Sequence, residues 1–491
     1  MLTFFWSLKK KLSDWLFLAG ICTAVIVIIW KGLFQPFYWD TQWTLIPMGE
    51  QAVVDFNLFG RRSFFQKSER FISQKLFDYG FDYPHTPLLQ VVVGSVIALF
   101  PQDFTVPVHA VGVVFSLVFL VGYYWAIQKH IGRLVAITAT VLLAVNPLFL
   151  AQTALIYFEI PSMTFRFLAF YFLIKKKYLF FTLAACIAFL FRVENGPLLI
   201  ITLAVWLLLT ERHLGWKHLL QLFLKYSTSI FLLMIWWILG HKFATGWWFI
   251  SPYFKHEVDR PYVKNQILFW LTDDQGKKYL TYLAYTGFLL GIIKYRNRLI
   301  AKVIICSLFL TLPFLFLWIV IGHGLMRYTL AFLPVYFFLV ALVTVLVSKN
   351  KYIQISVATV VLTIGIISQS QSWYRCDSNH ETCLAVFDVI ALRQQITSMV
   401  SKIPANSTLF CNWYESKQIR KNFPQMNVLS SENINYEDHS TQNTKSYILI
   451  TPIDTKNQKI LGFPYFTQVV SAKSGQREAN IYCFGDQSCL E

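Results

Sequence analysis

The sequence predicts an all-α polytopic membrane protein with about eleven transmembrane helices, outer juxtamembrane helices and a small C-terminal soluble α/β domain. Composition is the first observation: 56% of the 491 residues are hydrophobic and only 14% are charged, with a mean hydropathy of +0.49. A soluble chain averages about 45–50% apolar and about 25% charged. Arrangement is the second, because the apolar residues form long blocks separated by short basic patches. The third is a change of character at Ser370, beyond which the chain turns polar.

The net charge of +17 would suggest nucleic acid in a soluble protein. Here Lys and Arg sit mostly between hydrophobic blocks, where their resistance to crossing the bilayer sets topology. No nucleic-acid partner is therefore expected; the partners expected at this stage are membrane lipids.

The blocks place spans near 15–34, 107–127, 134–152, 160–174, 178–191, 197–210, 222–240, 279–293, 300–322, 329–347 and 352–369. Lys9–Lys11 and the apolar run that follows read as a retained signal anchor. With these spans, Lys9–Lys11, Lys129 and Arg133, Lys175–Lys177, Arg212 and Lys217, Lys294 to Arg298, and Lys349 and Lys351 all share one side. The positive-inside rule makes it cytoplasmic. The run Leu88–Phe100, bounded by Pro87 and Pro101, is short for a span and reads as a helix on the outer surface. Two domains follow: a transmembrane domain over 1–369, containing a first outer loop at 35–106, and an outer α/β domain over 370–491. In the latter, Val386–Ile403 reads as an amphipathic helix, and Thr408–Trp413, Tyr447–Thr451 and Ile481–Phe484 read as strands.

Cys22, Cys186 and Cys306 fall in spans, where they read as small buried apolar side chains. Cys376, Cys383, Cys411, Cys483 and Cys489 fall in the tail, where an oxidising compartment permits disulfides. The pairs nearest in sequence are Cys376–Cys383 and Cys483–Cys489, with connectivity left open. No Cys-x-x-Cys spacing or other metal-ligand cluster is present, so no metal is expected.

Acids are scarce where chemistry would have to happen. Between Asp103 and Glu257 the only acids are Glu159, Glu194 and Glu211. Glu211 falls on the cytoplasmic side beside Arg212 and reads as a solvated flank. Glu159 and Glu194 fall at outer span ends, where an ionisable group is costly unless solvated, paired or used. For Glu194 the bland reading is an ion pair with Arg192. Asp40, in Phe-Tyr-Trp-Asp-Thr-Gln-Trp, is either a solvated acid in an interfacial aromatic belt or a general base with a tuned pKa. His85, in Tyr-Pro-His-Thr-Pro-Leu-Leu, taken alone is a loop residue. Arg61, Arg62, Lys67, Arg70 and Lys75 make the first outer loop basic, against the charge rule; the readings are a solvated face or attraction of a phosphate-bearing lipid. Arg327-Tyr328 opens a span from outside, where it is also placed to meet a phosphate.

In order and spacing these motifs resemble the GT-C glycosyltransferases that use polyprenyl-phosphate sugars, in particular the protein-mannosyltransferase-like and lipid A aminoarabinose transferase group. The family's first-loop Asp matches Asp40. Its His-Pro-Pro-Leu matches His85-Thr86-Pro87-Leu88, with Thr for the first Pro. Its Asn-Pro helix end matches Asn146-Pro147, its second acidic turn Glu159-Ile160-Pro161, its Lys-containing turn Arg192 to Gly196, and its late Arg-Tyr matches Arg327-Tyr328 ahead of Pro334. Three departures stand out: Thr41 where many relatives have Glu, Glu159 for Asp, and His109 where an Arg is common. The likeness covers roughly residues 1–345.

The resemblance implies an inverting glycosyl transfer on the outer face from a polyprenyl-phosphate sugar, with no cofactor beyond that donor, to a glycan, lipid or protein acceptor. It implies catalytic roles for Asp40, as general base, and for Glu159. It implies donor-phosphate or acceptor binding by His85, Arg61, Arg62, Arg192, Glu194, Arg327 and Tyr328. A bacterial inner membrane, with the active site and tail outside, is the expected location. Two other classes compete. A transporter or lipid flippase would show repeat symmetry or charges near the midplane, for which Arg166 and Lys225 are the buried candidates. An O-antigen ligase or polymerase would use a diphosphate-linked oligosaccharide and normally lacks the Asp…His-x-Pro-Leu order.

Overall fold

A computed structural model of the chain describes residues 2–37, 41, 45–54, 86–245, 248, 278–295, 299–320, 326–374, 383–405, 407–411, 419, 423, 425–430, 446–450, 466–474 and 477–484. Each apolar block becomes helical because, without water, a backbone must satisfy its own N–H and C=O groups. Helix α1 (Leu2–Ile29) runs into a 3-10 turn, Trp30–Phe34. Two short helices, α2 (Ile46–Val54) and α3 (Leu88–Leu99), precede α4 (Thr105–His130). The expected helix at Leu88–Phe100 forms as α3, with Leu89, Val93 and Ile97 buried. It crosses α2 so closely that a Cβ on Gly94 would lie 2.0 Å from the Gly49 carbonyl oxygen.

The predicted span 134–152 is two helices, α5 (Arg133–Ala144) and α6 (Pro147–Leu155), bent by 63°. The cause is local. Pro147 at the first helical position has no N–H, and the Asn146 side chain caps α6 by accepting from the Leu148 and Phe149 amides, each at 3.1 Å. The same Asn146 donates to Gln369 Oε1 (2.8 Å), and Gln369 donates to the Leu142 carbonyl (3.0 Å), so the break is bolted to the last membrane helix.

The bundle continues with α7 (Glu159–Ile174), α8 (Tyr178–Phe191), α9 (Asn195–Thr210), α10 (Trp216–Thr245), α11 (Lys278–Lys294), α12 (Leu299–Val320), α13 (Leu333–Leu346) and α14 (Lys351–Gln371). Among the described residues four helices are long and apolar enough to cross a membrane, or five if the bent pair is one span; several others are shorter and apolar. The chain is an integral membrane protein.

Buried polar contacts pin one end of the bundle. Asp14 of α1, 2% exposed, accepts from Tyr124 Oη (2.8 Å) and Gln128 Nε2 (2.5 Å) and pairs with Arg133 Nε (2.8 Å). Glu211 departs from its expected solvated role. It is buried and pairs with Lys176 Nζ at 2.6 Å and Tyr178 Oη at 3.4 Å, because the positive-φ turn at Lys176 brings that ammonium across. Lys225 is exposed over the Tyr226 ring, not buried, whereas Arg166 is buried.

The chain divides into two units, one ending at Leu384 and the other taking in Ala385–Glu491. The second holds α15 (Val386–Val400) and a five-stranded sheet of β1 (Thr408–Cys411), β2 (Asn427–Ser430), β3 (Ser446–Ile450), β4 (Phe466–Ser474) and β5 (Arg477–Phe484). The order is β2-β1-β3-β5-β4, with β1 parallel to β2 and β3, and β5 antiparallel to β3 and β4. Leu392, Ile396 and Met399, spaced to share one helix face, pack with Leu409, Val428, Leu449 and Ile481 of the sheet. Cys383 and Cys483 each take part in a disulfide; Cys376 and Cys489 lie outside the described residues.

Candidate functional site

Three turns far apart in sequence meet at one end of the first unit. Glu159 is the first residue of α7, where the partial positive charge of a helix N-terminus favours a carboxylate. Arg192 follows α8 in extended conformation, with its amide still bonded to the Ala188 carbonyl at 3.0 Å. Arg327 sits in a 3-10 turn, Met326–Ala331. Glu159 Oε1 lies 3.2 Å from Arg192 Nη1 and 3.5 Å from Arg327 Nε. Arg192 Nη2 also pairs with Glu194, and the Arg327 guanidinium lies 4.9 Å from the centre of the Tyr157 ring. Glu159, Arg192 and Arg327 are 8%, 5% and 7% exposed, so these charges are held by one another and not by bulk water.

Asn195 fixes the Arg192 turn. Its amide donates to Ser162 Oγ of α7 and to the Ala188 carbonyl, both at 2.8 Å. Thr86, which stands where the resembled motif has Pro, donates to the Phe189 carbonyl at 2.6 Å and ties the start of α3 to the end of α8.

An apolar cleft of about 140 Å³ runs along α7 from Met163, one turn from Glu159, to Ile174; its lining reaches His130 and Leu299 and does not include Glu159, Arg192 or Arg327. Its walls include Met163, Arg166, Phe170 and Ile174, which share with Glu159 one stripe of α7. Ala331, at the end of the turn that carries Arg327, lines the same cleft and accepts from Arg166 Nη2 at 3.4 Å. Ser307 and Leu310 of α12 and Pro334 and Phe338 of α13 complete the opposite wall. The same helix and the same turn therefore carry the ion cluster and, further along, part of the apolar lining. Among the described residues no group of three His, Cys, Asp or Glu side chains is placed to hold a metal ion.

Of the residues expected from sequence, the structure therefore brings together Glu159, Arg192, Glu194 and Arg327. Tyr328 shares the Arg327 turn, with its side chain outside what is described. Asp40, Arg61, Arg62 and His85 lie outside the described residues.

Two further residues carry weight that the motifs did not signal. Thr41 is fully buried, with Oγ1 3.0 Å from both the Leu155 and Ile156 carbonyl oxygens. His109, 2% exposed, faces the Ala154 carbonyl with Nδ1 and the Gln35 carbonyl with Nε2 (3.0 Å), and stacks on Phe37. These contacts set Gln35, Phe37 and Thr41 against the end of α6 and Ile156, three residues before Glu159.

This architecture is the GT-C fold, with a helical membrane bundle and a separate small α/β unit. Among solved structures, that of the archaeal oligosaccharyltransferase AglB from Archaeoglobus fulgidus, in complex with an inhibitory peptide and a dolichol-phosphate, matches with a TM-score of 0.54 at 11% identity, over 90% of this chain and 69% of that one. ArnT from Cupriavidus metallidurans, bound to undecaprenyl phosphate, matches with a TM-score of 0.50 at 10% identity, over 95% of this chain and 97% of that one. No sequence-family model matches the chain, and no curated protein matches it in sequence.

Proposed function

We propose that the protein is a membrane glycosyltransferase that moves a sugar from a polyprenyl-phosphate donor to an acceptor hydroxyl on the outer face of the membrane. One observation carries this reading. Two buried arginines converge on a single carboxylate at the start of α7, and later residues of that helix, with Ala331 of the Arg327 turn, line an apolar cleft. A lipid phosphate places its charge and its hydrocarbon in that order. The two neighbours of this fold were solved with dolichol-phosphate and with undecaprenyl phosphate, which supports the same ligand class here.

In this reading the acceptor oxygen attacks the anomeric carbon as the bond from that carbon to the phosphate oxygen breaks. The electron pair leaves with the phosphate, whose charge Arg192 and Arg327 are placed to stabilise. The acceptor proton passes to a carboxylate. Asp40 takes that role by the resemblance of its motif, as general base. Glu159 holds both guanidiniums in place. Glu194 restrains Arg192 from the other side, and His85, Arg61, Arg62 and Tyr328 remain donor- or acceptor-binding residues by position in sequence. A single displacement inverts the anomeric centre. The acceptor is a glycan, lipid or protein, and the membrane a bacterial inner membrane with the site on its outer side.

The test is transfer in proteoliposomes from a polyprenyl-phosphate sugar. Asp40→Asn is expected to lower the rate by about a hundredfold or more, the range for losing a general base. Near wild-type transfer by that variant would remove Asp40 as the base.

A further inference from the structure

The turn that delivers Glu159 is built from an unfavourable backbone. Helix α6 ends at Leu155, and the next residue, Ile156, has φ 50° and ψ 80°, in the left-handed region. A β-branched residue there is an outlier that persists only where its surroundings impose it. The surroundings are specific. The last carbonyls of a helix lack partners within it. Here the Ala154, Leu155 and Ile156 carbonyls are met by His109 and Thr41. Helix α4 can bring His109 to that position because Gly112, one turn further on the same face, has no Cβ: one placed there would lie 2.7 Å from the Thr153 carbonyl oxygen and 3.6 Å from the Ile156 Cα. Ser116, a further turn along, donates to Thr153 Oγ1 at 2.9 Å, so α4 is laced to α6 right up to the turn.

We propose that Thr41 and His109 are positioning residues that hold the strained Ile156 turn and thereby set where Glu159 presents its carboxylate to Arg192 and Arg327. This rests on the reading that those arginines receive the donor phosphate. Neither residue touches the ion cluster. Both act through Tyr157 and Phe158, the two residues that join Ile156 to Glu159. Without the Thr41 hydroxyl, the Leu155 and Ile156 carbonyls lose their shared donor, and Ile156 is released toward an ordinary negative φ. That would shift the start of α7. A displacement of about 1 Å at such a site is enough to cost about a hundredfold.

The probe is a polyprenyl monophosphate without sugar, its affinity for the purified full-length protein measured in detergent. Thr41→Val, which keeps the shape and removes the hydroxyl, should weaken binding about tenfold. Thr41→Ser, which keeps the hydroxyl, should stay within about twofold of wild type, and His109→Phe, which keeps the stacking, should fall with Thr41→Val. Asp14→Asn, at the opposite end of the bundle, serves as the control for general loosening: it should lower the unfolding temperature and leave affinity unchanged. The inference is overturned if Thr41→Val binds like wild type while Arg192→Met does not. It is equally overturned if Asp14→Asn loses as much affinity as Thr41→Val at a matched loss of stability. A wild-type protein that fails to bind the probe, or an Arg192→Met variant that binds it unchanged, would instead defeat the reading of the site itself.

Discussion

Replacing Glu159 with Ala isolates the interaction at the centre of the site. Glu159 Oε1 meets Arg192 at 3.2 Å and Arg327 at 3.5 Å, and all three residues are less than 9% exposed. Removing one member of a buried ion pair costs about 3–5 kcal/mol, because the partner charge stays buried without compensation. Here the loss is moderated, since Arg192 keeps Glu194 and Arg327 keeps the face of Tyr157. The longer contact to Arg327 also contributes less than a short one, so a value of about 3 kcal/mol is expected for Glu159→Ala. Glu159→Gln keeps an acceptor but not the charge. The difference between a charged and a neutral hydrogen bond then leaves a cost of about 1.5 kcal/mol. At about 2 °C per kcal/mol for a large domain, thermal unfolding in detergent should shift by about 6 °C for Ala and about 3 °C for Gln. An Ala variant within about 1 °C of wild type, inside the range of ordinary surface substitutions, would show that the cluster is not a buried charge network.

Other outcomes follow from residues away from the site. Burial works to raise the Glu211 pKa, but the hydrogen bond and charge of Lys176, the charge of His213 and the Tyr178 hydroxyl outweigh it and hold the carboxyl below its ordinary value. A folded-state pKa below the unfolded one means that the unfolded chain binds more protons in acid. The stabilisation is therefore present above the unfolded pKa and lost as pH falls through the lowered folded value. Unfolding measured across the acid range should show a shallower loss for Glu211→Gln than for wild type; parallel curves would contradict the pairing. Gln369→Leu removes both bonds that tie α14 to the broken span, leaving the buried Asn146 amide and Leu142 carbonyl without this partner. About 2–3 kcal/mol of destabilisation is expected in chemical unfolding, and a change under about 0.5 kcal/mol would refute the bolt.

Helices could be read from the sequence because apolar blocks of this length leave the backbone no other way to satisfy itself in lipid. The bend at Asn146-Pro147 was written in the chain as a cap followed by a proline, yet hydropathy averages across such a break and returns a single span. Strands β1, β3 and β5 carry apolar runs and were found. Strands β2 and β4 were not: Asn427–Ser430 is too short to show a period, and Phe466–Ser474 mixes polar with apolar residues. At the site, scarcity marked Glu159, because few acids occur in the membrane half. The Arg192–Glu194 pair could be read from neighbouring positions. The approach of Arg327 to Glu159 could not, since it depends on how α7 and the Met326–Ala331 turn pack. Glu211 was misread because its nearest cation in sequence, Arg212, is not the one that reaches it. Thr41 and His109 showed only as departures from a motif, and their partners are backbone carbonyls that have no signature in sequence.

The most direct measurement compares the affinity of the purified protein for a polyprenyl monophosphate and for the polyprenol of equal length, by native mass spectrometry. If the Arg192 and Arg327 guanidiniums recognise a lipid phosphate, the phosphate form should bind at least about tenfold more tightly, as charged hydrogen bonds of this kind allow. The double variant Arg192→Met, Arg327→Met should erase that preference while still binding the alcohol. Equal affinities in the wild-type protein, or a preference that survives the loss of both arginines, would contradict the account.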